Sequence, residues 1–106
     1  MKIGVSSRSG SMDAEVEPRF GRCPYFVVVD SETKRFEAFS NPAATATGGV
    51  GPQTVQAFKQ QGVEVVLTGQ VGPNAQQALD AAGIRLVTGV SGKVKDAVDA
   101  YLKGIA

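Results

Sequence analysis

In the stretch DAEVEPRFGRCPY, residues 13–25, Arg19 and Arg22 stand just ahead of Cys23, the only cysteine of the chain. Such a cluster offers two kinds of chemistry. Guanidinium groups bind anions, and a thiol beside positive charge ionises more easily, becoming a soft metal ligand. A lone cysteine also has a plainer reading, as a small apolar residue packed in a core. Gly21 and Pro24 mark the stretch as a turn, and it runs directly into the apolar segment Phe26-Val27-Val28-Val29. A cationic loop feeding a buried strand is where chemistry is expected.

Two further phrases, Val50-Gly51-Pro52-Gln53 and Val71-Gly72-Pro73-Asn74, repeat one pattern where a loop becomes a helix. Glycine permits close backbone approach, and proline suits the first helical position. The amides that follow point outward, so such a start attracts anions. The same pattern also serves as an ordinary helix start. Other signatures fail. Gly49-Val50-Gly51 lacks the third glycine of a dinucleotide loop, and Gly92-Lys93-Val94 lacks the remainder of a P-loop. Without histidine, a Ser–His–Asp triad or a His–Cys zinc site is excluded within one chain. Two-metal hydrolysis has no ligand set, because the first strand carries no acid.

The elements that must position these residues follow from periodicity. Lys2–Ser7 and Tyr25–Asp30 read as strands, the latter buried on both faces by its unbroken apolar run. In Lys34–Phe39, Arg35 and Glu37 alternate with Phe36 and Ala38, which predicts a half-exposed antiparallel edge strand with the apolar pair inward. Helices are predicted from Pro52 to a stop at Gly62, and from Pro73 to a stop at Gly83, with a third capped by Ser91. Glu64–Thr68 and Ile84–Thr88 are parallel-type strands between them. The order β-β-β-α-β-α-β-α gives a five-stranded mixed sheet with helices on its faces, a ribonuclease H-like arrangement. The long connections at residues 13–22 and 42–51 are expected to be mobile without a ligand.

The totals bound the partners. With 106 residues and no linker or charge block, residues 1–106 form one domain. A net charge of +1 supplies no bulk field toward nucleic acid or membranes. One cysteine, no apolar span and no signal-like start point to a cytoplasmic protein.

The motifs together resemble a known family. Lys2–Ser7, then Asp13-x-x-Val16-x-x-x-Phe20-Gly21-Arg22-Cys23-Pro24-Tyr25-Phe26, Asn41, Gly48-Gly49-x-Gly51 and GVEVVLTGQVGPNAQQALDAAGIRLV are similar to the dinitrogenase iron–molybdenum cofactor biosynthesis family. That group includes NifX, NafY, C-terminal NifB domains and the orange protein of sulfate reducers. The resemblance implies a non-catalytic protein that binds or carries a metal–sulfur cluster, of the iron–molybdenum–sulfur or molybdenum–copper sulfide type. It implies cluster-donating or cluster-receiving protein partners. By position, Phe20, Gly21, Arg22, Gly49, Gly51, Gly69 and Gly72 match the family's motif residues. Many members carry histidine where this chain has Arg19, so a cationic contact replaces a ligand there. The expected mode is electrostatic capture of an anionic cluster, with Cys23 as the one soft donor. The alternative is an interaction or regulatory module that kept the fold and holds no cluster.

Overall fold

The computed structural model describes residues 1–41 and 52–104. Five strands form one mixed sheet: β1 (Lys2–Ser7), β2 (Tyr25–Asp30), β3 (Phe36–Ser40), β4 (Val63–Leu67) and β5 (Arg85–Val87). Their spatial order is β3-β2-β1-β4-β5. The first three pair antiparallel, while β1, β4 and β5 run parallel. Helices α1 (Pro52–Gln60), α2 (Pro73–Ala81) and α3 (Val94–Leu102) complete the expected order.

The sheet divides the core in two. Phe26 and Val28 of β2 face α1 and α2, joining Phe20, Val55, Phe58, Val66 and Leu79. Val27 and Val29 face the other way, with Ile3, Val5, Val65 and Leu67 packed against Val94, Ala97 and Val98 of α3. That two-sided burial is why β2 reads as an unbroken apolar run. The first layer closes directly over Gly4 of β1, where a Cβ would meet Val63, Phe58 and Val66 at the ordinary contact distances of 3.5–3.7 Å. The helices end as the sequence predicts: Gly62 and Gly83 take φ of +79° and +74°, which favours glycine.

Three expectations are corrected. The edge strand starts at Phe36 rather than Lys34, because Lys34 has φ +64° and closes the turn from β2. The inward residue of that strand is Phe39, which packs on Phe26 and Phe58 at 5.8 and 5.9 Å between ring centres. Phe36 and Ala38 are exposed. They share the sheet face that α3 covers, but α3 sits over β1 rather than over this edge. Ser91 does not cap α3. The helix begins at Val94, and its first amides donate to Ala14 O at 2.9 Å and Met12 O at 3.0 Å.

The connection at residues 13–22 is held by backbone hydrogen bonds. Backbone bonds run from Arg8 N to Glu15 O, Val16 N to Gly92 O, Glu17 N to Ser6 O and Phe20 N to Gln70 O, all at 2.8–3.1 Å. The Lys95 ammonium also meets the Asp13 carboxylate at 2.8 Å. These contacts tie the segment to β1, to the turn before α2 and to α3. The connection at 42–51 lies outside the described residues.

The reversed edge makes a testable contrast. Phe39→Ala is expected to destabilise by about 1–3 kcal/mol, through loss of ring packing, whereas Phe36→Ala stays within about 0.5 kcal/mol. Urea unfolding of the two variants measures this difference.

Candidate functional site

Ligand crevices of such sheets open beyond the carboxyl ends of parallel strands. Here β1 and β4 end side by side, and their closing residues are small and polar. Ser6 and Thr68 are fully buried, and their hydroxyls lie 2.8 Å apart. The Ser6 hydroxyl also donates to Glu17 O at 2.8 Å. This pair thereby pins the returning loop across both strand ends. Gly69 lets that loop lie flat: a Cβ there would sit 2.7 Å from Pro18 Cα and Pro18 O. Gly69 thus serves loop packing, where the sequence suggested ligand contact.

Past Pro18 the chain turns through a short 3-10 helix, Phe20–Arg22. Its anchor is Phe20, which is wholly buried and stacks on Phe26 and Phe58 at 5.2 and 6.1 Å. Sequence matching put Phe20 with the ligand-contacting residues, but its ring fixes the turn from below. Around it lies an open hollow of about 370 Å³, lined by Arg19, Phe20, Gly21, Arg22, Gln70, Val71 and Gly72. The cationic turn and the second Val-Gly-Pro phrase thus meet in one place. Val71 belongs to the second Val-Gly-Pro phrase, whereas Gln70 was missed in the sequence; its only signal was its position between matched glycines. Gly49 and Gly51 lie outside the described residues.

At the far wall, Gly72 is the N-cap of α2 with Pro73 in the first turn and no side-chain cap. The first helical bond runs from Gln76 N to Gly72 O at 3.0 Å, so Asn74 and Ala75 amides have no partner within the helix. A Cβ on Gly72 would meet nothing within 4 Å, which leaves this backbone open. Both arginine side chains are exposed. Arg19 rests 3.7 Å from the Glu17 carboxylate, while Arg22 has no ion pair among the described residues.

Cys23 behaves differently from the expected thiolate. It is wholly buried in the aromatic layer, its Sγ donating to Phe20 O at 3.2 Å. Asn41 Nδ2 donates to Cys23 O at 2.9 Å and approaches Sγ at 3.9 Å. Burial pushes the thiol up to about 12, outweighing the hydrogen bonds that favour the anion. The charge that reaches it most is Glu17, which raises it further. Desolvation dominates, so the thiol is neutral, and Cys23 is not among the residues that line the hollow. Among the described residues no group of three His, Cys, Asp or Glu is arranged to hold a metal ion.

This burial has a pH signature. The folded thiol keeps its proton up to about pH 12, whereas an unfolded chain's thiol releases it near about 8.5. Its contribution is complete below the unfolded value and is lost as pH rises through the folded one, at up to about 1.4 kcal/mol per pH unit. Wild type is expected to lose stability between about pH 9 and 11 more steeply than Cys23→Ala, as followed by chemical denaturation.

Comparison with known proteins places this geometry. The family model described as dinitrogenase iron-molybdenum cofactor matches residues 1–104. Among solved structures, the apo orange protein of Desulfovibrio gigas is 42% identical with a TM-score of 0.91, covering 98% of this chain and 88% of the other. A Thermotoga protein with a provisional NifB assignment is 34% identical with a TM-score of 0.86, covering 98% and 89%. A Methanocaldococcus jannaschii protein shares the fold, at 12% identity and a TM-score of 0.70 over 99% and 90%. Among curated proteins none matches. No helix of the described residues is long and apolar enough to cross a membrane. With the family model spanning all but the last two residues, the chain belongs to the dinitrogenase iron–molybdenum cofactor family.

Proposed function

We propose that this chain is a non-catalytic carrier that holds an anionic metal–sulfur cluster by charge and backbone donors rather than by protein ligands. The cargo is of the molybdenum–copper sulfide or iron–molybdenum–sulfur type. The observation that carries this reading is the hollow in which Arg19, Arg22 and the open start of α2 converge. Family membership supports the same cargo class. A thiomolybdate-type cluster carries its own sulfide ligands and a net negative charge. It needs cations and N–H donors from the protein, not a further coordination set. Arg19 and Arg22 supply the first, and the Asn74 and Ala75 amides supply the second. A cluster so held can be handed on by exchange of hydrogen bonds, which suits a carrier between a donating and a receiving protein.

A second reading, an interaction or regulatory module without a cluster, is favoured by one observation. The sole cysteine is buried and protonated, so it offers no thiolate at the surface.

Titration with tetrathiomolybdate and Cu(I), followed by visible absorbance, separates the two readings. The carrier reading predicts a protein-bound chromophore whose uptake weakens as salt rises past the point where screening reaches about 10 Å. Arg22→Ala is expected to weaken uptake roughly tenfold and to flatten the salt dependence. Gly72→Ala should reduce uptake while leaving the melting temperature unchanged, because its Cβ meets only open space. Absence of a protein-bound chromophore favours the module, and uptake unchanged by both substitutions removes the hollow as the binding site.

A further inference from the structure

We infer that Glu17 is an internal counter-ion that occupies the site's cations when no cargo is bound, and that Arg8 is a further cargo-binding cation. This rests on the carrier reading above. One Glu17 oxygen lies 3.5 Å from Arg8 Nε and the other 3.7 Å from Arg19 Nε, so a single carboxylate bridges two guanidinium groups. Its own side chain is only 14% exposed, while Arg8 and Arg19 are 56% and 64% exposed. The carboxylate is therefore the fixed member and the arginines the mobile ones.

The fixing has a visible cause. Glu17 N donates to Ser6 O at 3.0 Å, and Glu17 O accepts the Ser6 hydroxyl at 2.8 Å. These bonds hold the Glu17 backbone, so its carboxylate moves only within the reach of its own side chain. Both ion pairs are longer than a good charge-assisted hydrogen bond and open to solvent, the weak class that exchanges readily. Arg22, next in the same turn, has no such partner among the described residues and faces the hollow unopposed. An entering anion thus meets Arg22 first and recruits Arg19 and then Arg8 away from Glu17. The carboxylate left behind repels the anion, which lowers retention and favours release. Glu17 sets how tightly the cargo is held, and a carrier must also let go.

Equilibrium dialysis against tetrathiomolybdate, read by its visible absorbance, tests the inference without any downstream assay. Glu17→Gln keeps the shape and removes the charge; it is expected to bind about threefold to tenfold tighter than wild type. Glu17→Ala is expected to show the same gain, and the double variant Glu17→Gln, Arg8→Ala to lose part of it. A tighter complex is a result that mere disruption of the loop does not produce. Equal or weaker binding by both Glu17 variants, with Arg22→Ala still weakened, overturns the inference and leaves the carrier reading standing. Absence of binding by wild type overturns both.

Discussion

Everything at the candidate site depends on Phe20 being inside the protein. Its ring packs against Phe26 and Phe58, which themselves meet edge to face at 4.9 Å, and burial of such a side chain is worth about 2–3 kcal/mol. With Phe20 fixed, Arg19 and Arg22 have no choice but to emerge on either side of the turn. The hydroxyl pair of Ser6 and Thr68, and the bare backbone of Gly69, hold the approaching chain flat so that this insertion is possible. The site is thus a surface consequence of core packing. Four of the five phenylalanines take part in that cluster, the exception being exposed Phe36.

The same packing separates two kinds of chemistry that lie side by side in the sequence. Arg22 and Cys23 are neighbours in the chain, yet one is in water and the other is not. Proximity of a guanidinium promotes a thiol's ionisation only where the dielectric lets the anion exist, and here the apolar layer opposes it. What remains outside is a cationic, hydrogen-bond-donating hollow without soft ligands among the described residues. Such a surface matches a cargo that brings its own sulfide shell. It is a poor match for bare metal ions, which demand coordinating atoms from the protein.

Much of this was legible from the residues. Lys2–Ser7 and Tyr25–Asp30 are strands with the boundaries the apolar runs gave, and the glycine stops of α1 and α2 hold. The proline phrases mark both helix starts. What failed were inferences that needed to know which sheet face has a helix over it. Alternation in β3 identifies two faces but not the covered one, so Phe36 and Phe39 were exchanged. The cap of α3 was misread because its partners, the carbonyls of Met12 and Ala14, are about eighty residues away in the chain. For Cys23 the sequence left two readings, soft ligand and core residue, and the structure places it in the core. Local sequence displays the arginines, whereas the desolvating layer is assembled from Phe26, Phe58 and α2. Family matching does not distinguish residues that hold the turn in place, such as Phe20 and Gly69, from those whose side chains are free to meet a ligand, such as Arg19 and Arg22.

The central claim is that cargo is held by charge outside the core and not by the thiol within it. The most direct measurement is cluster loading by Cys23→Ala, checked for cooperative thermal unfolding and then titrated with tetrathiomolybdate and Cu(I). The account predicts that the bound chromophore keeps its wild-type band position and most of its intensity. Loss of the chromophore in folded Cys23→Ala, with Arg22→Ala still taking up the cluster, would contradict it and make the thiol a ligand that leaves the core to bind.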